Sequence, residues 1–127
     1  MNDIYEKAKN DPFANFLGVN IEKVEKGYAE CSLVLTENMF NFLGTPHGGL
    51  IFTLADIAFA AASNSDYTPS FALDISGSFY KSAKVGDKLR GICKVLQSTK
   101  RTGHYEMKVY NNDVEIARFN GTVFRKV

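Results

Sequence analysis

Hydrophobic and polar residues alternate along most of the chain, and this pattern gives way to a helical one in one central stretch. Residues 19–24 and 29–35 alternate on either side of the turn at 25–27, which predicts a β-hairpin. Between 48 and 63 the apolar residues occupy most of a helix circumference. We therefore expect a helix there that is buried almost all round.

One face of that helix is predicted to carry small and polar residues instead of apolar ones. At 100° per residue its small and polar side chains fall on one narrow stripe. The stripe consists of Gly49, Thr53, Asp56 and Ala60. We expect another group to approach the helix closely along this stripe.

Strand patterns return after the loop at 64–69. Four strand candidates follow, and the segments 84–87, 100–103 and 111–113 separate them as short antiparallel connections. Near the N-terminus the pattern predicts a short helix over 2–9 and a packed helical turn over 13–18. The elements form an α+β fold, in which an antiparallel sheet of five to six strands wraps around one long buried α-helix. No linker divides the chain, so residues 1–127 are expected to form a single domain.

Composition narrows the possible functions. The 127 residues carry a formal net charge of +1 with both signs spread along the chain, so no basic footprint for nucleic acid is present. Cys31 and Cys93 lack CxxC spacing and are expected to be reduced thiols in the core.

The charged N-terminus has no apolar signal segment, and no apolar run of about 18 residues follows. A cytoplasmic protein without a membrane partner is predicted.

The run Asn41-Phe42-Leu43-Gly44-Thr45-Pro46-His47-Gly48-Gly49 enters the helix directly and carries the candidate chemistry. Gly48 and Gly49 can bring backbone N–H groups close to a ligand at a helix N-terminus. Asp56 is the only charged residue of the helix. A buried carboxylate must be hydrogen-bonded, hydrated or partly protonated, and each state suits an active site.

In composition and spacing, the stretch from Asn41 to Ala60 resembles the hotdog-fold acyl-CoA thioesterases, most closely their PaaI-like (phenylacetate-pathway) branch. Looser likeness continues through Phe79-Tyr80-Lys81 and Arg101-Thr102-Gly103. The chain departs from the family at Ser82-Ala83, where a proline is usual. The resemblance implies a hotdog fold and a hydrolase that cleaves an aryl- or short/medium-chain acyl-CoA to the free acid and coenzyme A. It implies no cofactor and no metal, since coenzyme A is part of the substrate.

The resemblance also implies the catalytic roles. The Gly48 N–H would polarise the thioester carbonyl, and Asp56 would act as general base or nucleophile. Asn41 would hold the attacking water or the carbonyl. His47 would either act in catalysis or support the glycine turn.

Further residues are candidates for binding the substrate. Gly49 would permit close approach of the acyl group, and Thr53 could line the site or only pack the helix. Arg101, Thr102 and Gly103 would lie near the phosphates of coenzyme A, although a solvated turn is the alternative. Charge could be added there by Lys81, Lys84 and Lys100.

Two subunits are expected to share each site. Eight residues of helix separate Gly48 from Asp56 by roughly 12 Å, too far for one reacting centre to touch both. In the family two protomers join their sheets, so Asp56 of one chain would face Gly48 of the other. The resemblance thus implies a homodimer, with a homotetramer formed as a dimer of dimers.

Several alternatives remain open at the level of sequence. The domain could bind acyl-CoA without hydrolysing it, or could be a hotdog dehydratase or hydratase of acyl thioesters. It could also be a scaffold with an inactive site. In a structural role, Asp56 would bond backbone groups of a neighbouring strand, and Thr53 would bond back to its own helix.

Overall fold

The computed structural model describes residues 3–66 and 68–126. Two short helices precede a hairpin, a long helix follows, and four further strands complete the chain. The helices are α1 (Asp3–Lys9), α2 (Pro12–Leu17) and α3 (Gly48–Ser63), with a 3-10 turn at Glu37–Met39. The strands are β1 (Asn20–Glu25), β2 (Tyr28–Val34), β3 (Ser70–Phe79), β4 (Lys88–Ser98), β5 (Thr102–Asn111) and β6 (Val114–Arg125).

All six strands form one antiparallel sheet, in the order β1-β2-β4-β5-β6-β3. Helix α3 packs mainly on β4, β2 and β5. Ten of its sixteen residues are buried, which confirms the predicted central helix. This is the expected α+β fold, a sheet wrapped around one long helix.

One predicted connection is wrong. The four last strands do not follow one another through short turns, because β3 pairs with β6 at the far edge of the sheet and not with β4. The segment 80–87 instead crosses from β6 to β2: the Tyr80 N–H donates to the Ile116 carbonyl, and the Gly86 N–H donates to the Leu35 carbonyl. Since β2 already pairs with β1 on one side, β4 takes its free side and β3 is left at the opposite edge.

The predicted packing of residues 13–18 is also wrong in part. Gly18 ends α2 in the left-handed conformation as expected, with φ 85°. However, only Ala14 of this helix is buried, and Phe13 and Phe16 are 55% and 82% exposed. The helix thus packs through Ala14 and the half-buried Leu17 and turns its aromatic side chains outward.

Helix α3 begins where His47 caps it. The Nδ1 atom of His47 accepts a hydrogen bond from the Gly49 N–H at 2.9 Å, and the His47 carbonyl accepts from Leu50 and Ile51. Because Nδ1 is the acceptor, the ring proton lies on Nε2. A side-chain acceptor at this position satisfies a donor that the helix cannot satisfy itself.

Arg125 holds the other end of α3. This buried side chain donates through all five of its N–H groups, and each acceptor is neutral. The acceptors are the Ser63 and Thr99 carbonyls and the hydroxyls of Ser70, Ser98 and Tyr105. Arg125 therefore joins the last turn of α3 to β3, β4 and β5, and its charge is favourable at a helix C-terminus.

We expect His47→Ala to lower the free energy of unfolding by about 1 kcal/mol, because the Gly49 N–H loses its acceptor. Urea unfolding followed by circular dichroism measures this change. His47→Asn replaces the ring nitrogen with an amide oxygen as the acceptor and should retain most of the stability. Equal losses in the two variants would contradict a capping role.

We expect Arg125→Met to lower the free energy of unfolding by about 3 kcal/mol, because it leaves several buried acceptors unpaired. Arg118→Met is the matched control, since Arg118 is only half-buried and pairs with Glu115 near the surface. The same urea titrations compare both variants. Similar stability of the two proteins would rule out the anchoring role of Arg125.

Candidate active site

Asn41 organises the loop that leads into α3. Its side-chain oxygen accepts from the Leu43 N–H at 3.0 Å and from the N–H and hydroxyl of Thr45, both at 3.2 Å. Its backbone N–H donates to the Thr45 carbonyl, and Gly44 completes the turn with φ 83°. The oxygen of Asn41 is therefore committed to the loop, and its NH₂ group remains as a donor.

Gly48 presents a free backbone donor. The N–H groups of Gly49, Leu50 and Ile51 all bond to His47, whereas the Gly48 N–H has no acceptor among the described residues. An unpaired N–H at the start of a helix is suited to bind a partial or full negative charge. A Cβ on Gly48 would lie 3.4 Å from the ring of Phe79.

Gly48 and Asn41 line the same groove, which has a volume of about 370 Å³. The structure thus brings these two predicted residues together. Tyr80, Lys81 and Ser82 line this groove as well. Lys81 is predicted above as added charge, whereas Tyr80 belongs to the looser likeness at 79–81 and Ser82 to the departure at 82–83, and neither is predicted to line the site.

Gly49 and Thr53 are engaged within their own helix. The Gly49 N–H is occupied by the cap, and a Cβ at Gly49 would lie 3.1 Å from Nδ1 of His47. The Thr53 hydroxyl donates to the Gly49 carbonyl at 2.8 Å. The lack of a side chain at Gly49 therefore makes room for the cap, and Thr53 makes the intrahelical bond.

Asp56 is half-buried on the open stripe of α3. None of the described residues donates a hydrogen bond to its carboxylate. Burial raises the pKa of Asp56, and the negative charge of Asp11 raises it further. An acid with raised pKa and no internal partner is available to exchange a proton with a ligand or water.

Gly48 and Asp56 do not meet within one chain. Both lie on α3, so eight residues of regular helix keep them roughly 12 Å apart. The free donor and the free acid therefore belong to different places on the surface of a single chain.

Arg101, Thr102 and Gly103 lie at the opposite end of the molecule from Gly48. The Arg125 N–H donates to the Arg101 carbonyl, and the Arg125 side chain binds the last turn of α3. The Thr102 hydroxyl lies 2.9 Å from that of Thr99, and the side chain of Arg101 is exposed. Gly103 is buried where a Cβ would come within 2.6 Å of the Arg125 guanidinium. The structure does not bring these residues to Gly48 in one chain.

The two cysteines lie in the core as free thiols. Burial raises the pKa of Cys31 to about 12 and also raises that of Cys93, so neither is an activated nucleophile.

Among residues 3–66 and 68–126 no group of three potential metal ligands occurs. In the same part of the chain, no helix has the length and apolar character needed to cross a membrane.

Comparison with known proteins agrees with this geometry. The family model of the thioesterase superfamily matches residues 43–117, which contain most of the loop, α3 and the sheet. The chain is 33% identical to the acyl-coenzyme A thioesterase PaaI of Escherichia coli over 118 residues, which cover 92% of this chain and 84% of that protein.

Solved structures extend the likeness to three dimensions. The structure of E. coli PaaI superposes with a TM-score of 0.90 at 31% identity, covering 98% of this chain and 96% of that one. A Streptococcus mutans protein, solved bound to acetyl CoA, gives a TM-score of 0.81 at 28% identity, covering 85% and 88%. The chain therefore belongs to the hotdog-fold thioesterase superfamily, in its PaaI-like branch, and is a thioester hydrolase.

Proposed function

We propose that the protein hydrolyses an aryl- or short/medium-chain acyl-CoA to the free acid and coenzyme A. The observation that carries this proposal is the presence on one helix of two groups that no described residue bonds, the Gly48 N–H and the Asp56 carboxylate. Support for the coenzyme A part comes from the acetyl CoA bound in the S. mutans protein. The reaction requires no cofactor and no metal, because a donor and a base suffice for thioester hydrolysis.

In the proposed reaction the thioester carbonyl oxygen accepts a hydrogen bond from Gly48. As negative charge develops on that oxygen, this fixed donor stabilises the transition state by about 3 kcal/mol. Asp56 either takes a proton from water while the water oxygen bonds to the carbonyl carbon, or attacks that carbon itself and forms an anhydride that water then cleaves. In the first route the C–S bond breaks and the coenzyme A sulfur takes the proton that Asp56 removed from water. In the second route the C–S bond breaks as the anhydride forms, the sulfur leaves as the thiolate, and the water that cleaves the anhydride supplies its proton.

Asn41 contributes a donor in this proposal. Because its oxygen is held by the loop, only its NH₂ group can reach a ligand in the groove that it shares with Gly48. It would position the carbonyl oxygen or the attacking water. His47 acts through the cap, since its Nδ1 atom keeps the Gly49 N–H occupied and leaves the Gly48 N–H free.

We propose that two subunits build each site. Strand β3 offers a ten-residue edge with exposed Phe71, Leu73 and Phe79, and long apolar edge strands are normally covered. Pairing two such edges would set the α3 helices side by side, with Gly48 of one chain near Asp56 of the other. The active unit would be a homodimer, and two dimers would form the tetramer.

An antiparallel arrangement of the two helices would also place Arg101 near the site of the partner subunit. The turn at 101–103 lies beside the C-terminal end of its own α3, so it would come near the N-terminal end of the partner's helix. There Arg101 would meet coenzyme A phosphates, with Thr102 and Gly103 shaping the turn and Lys81, Lys84 and Lys100 adding charge. We further propose a single domain over 1–127 that acts in the cytoplasm.

We expect Asp56→Asn to lower kcat/KM for acyl-CoA by at least about a hundredfold, because the general base or nucleophile is lost. Thiol release measured with a chromogenic disulfide follows the reaction. In the wild type, activity should decline as acid protonates Asp56, with a midpoint above the usual aspartate range because its pKa is raised.

Stability provides the matching control for Asp56→Asn. Folding raises the pKa of Asp56, so ionising this carboxyl lowers stability, beginning as the pH passes the unfolded-state pKa and in full above the raised folded-state pKa. The variant should therefore be more stable than the wild type at pH 7, and the difference should vanish at a pH where aspartate is protonated in both states. Full turnover by a folded Asp56→Asn protein would refute the role of Asp56.

We expect subunit mixing to restore activity to two inactive variants. Gly48→Pro removes the donor N–H at the first helical position, where proline is tolerated, and Asp56→Asn removes the acid. A heterodimer of the two would contain one intact shared site, so a statistical mixture should recover about a quarter of wild-type activity. Thiol release by the co-expressed mixture measures this, and heterodimers isolated through two affinity tags should show about half of wild-type activity. Sites contained in one chain would give no recovery.

A further inference from the structure

Helix α2 and the open stripe of α3 line shared grooves. Phe13 and Phe16 of α2 line one groove together with Gly49 and Thr53 of the stripe. Farther along, the residues at the start of α2 line a second groove together with Ala60 of the stripe. The stripe segment that carries Asp56 therefore runs between two grooves, of which α2 lines the first along its length and contributes only its first residue to the second.

The aromatic side chains of α2 are exposed beside that stripe. Phe13 and Phe16 stack on each other with ring centroids 6.5 Å apart and planes 13° from parallel. Phe16 is 82% exposed, although an aromatic ring gains most of its stabilisation when it is buried. Large exposed apolar side chains that cluster at a groove indicate a binding surface.

The position of this pair is fixed by the local structure of α2. Asp11 caps the helix by accepting from the N–H groups of Phe13 and Ala14, and Gly18 ends it. Ala14 is buried, and the Val19 N–H donates to the Ala14 carbonyl. The two rings are therefore presented by a capped and anchored helix, so they form a wall rather than a loose side-chain cluster.

The groove beside this pair is suited to the apolar end of a small molecule. Its volume is about 730 Å³, within the range of small-ligand sites. Leu17, Met39, Phe40 and Leu50 add apolar surface, and none of the described residues that line it is Asp, Glu, Lys or Arg. The groove beside Gly48 differs, because Lys81 lines it. The two grooves lie on either side of the α3 N-terminus and differ in polarity.

This inference rests on the proposed function. We propose that Phe13 and Phe16 form the wall against which the acyl group of the thioester lies, and that they select acyl groups large enough to reach α2 over acetyl. The part of the bound substrate that carries the phosphates extends out of the site on the side of Lys81. The occupant is the acyl group because the groove includes Gly49, the neighbour of the proposed carbonyl donor, and His47, which caps the same turn.

The experiment compares acyl-CoA substrates of different size in the Phe13→Ala/Phe16→Ala double variant. The kcat/KM values for phenylacetyl-CoA and hexanoyl-CoA should each fall about tenfold, because the acyl group loses its contact surface. The value for acetyl-CoA should stay within about twofold of wild type, since acetyl does not reach the wall. Phe124→Ala is the control: this half-exposed phenylalanine alternates with the buried Val123 and Arg125 on β6 and so faces away from α3.

Binding separates this inference from the proposed function. In the Asp56→Asn background, titration calorimetry should show that the double variant binds hexanoyl-CoA about tenfold more weakly and free coenzyme A unchanged. That result supports the wall even if the wild type hydrolyses none of these thioesters, in which case only the proposed function fails. Equal losses for acetyl-CoA and hexanoyl-CoA, or equal losses for coenzyme A, would overturn the wall. A smaller assembly in sedimentation of the double variant would overturn it too, because a second copy would then cover the groove.

Discussion

The close approach of α3 to the sheet is the constraint on which the rest of the structure depends. At Gly91 a Cβ would come within 3.2 Å of the Leu54 side chain and carbonyl, and at Gly121 it would lie 2.7 Å from the ring of Phe59. Side chains at these two places would lift the helix off the sheet. Because the helix is seated this deeply, one stripe stays open and the first turn reaches the loop of Asn41.

Much of the fold could be predicted because local patterns determine it. The hairpin, the central helix and the last three strands each follow from hydrophobic periodicity together with turn residues. The position of β3 could not be predicted in the same way. A strand pattern shows that a segment is extended, but its partner depends on which sheet edges other strands have already occupied, and that is a property of the whole chain.

For the candidate site, the residues could be predicted but their contacts could not. The run from Asn41 to Asp56 indicated both the family and the residues with chemical potential. The hydrogen-bond partners of these residues could not be predicted from this run, because they depend on the folded conformation of the loop. Only that conformation shows that the oxygen of Asn41 is occupied and that the Gly49 N–H bonds to His47. These contacts distinguish the two adjacent glycines, since the Gly49 N–H is occupied and the Gly48 N–H has no acceptor in the described part of the chain. The exposure of Phe13 and Phe16 likewise depends on how α2 packs, and an amphipathic pattern of six residues is too short to predict it.

The two ends of α3 are held by contacts of different range along the chain. At the C-terminal end Arg125 donates to Ser63 and Ser70, which lie 62 and 55 residues before it, and to Tyr105 on β5. At the N-terminal end the cap joins His47 to Gly49, only two residues away. The C-terminal end can therefore be released only by parting strands of the sheet, whereas the end that carries Gly48 can open locally while the sheet stays intact.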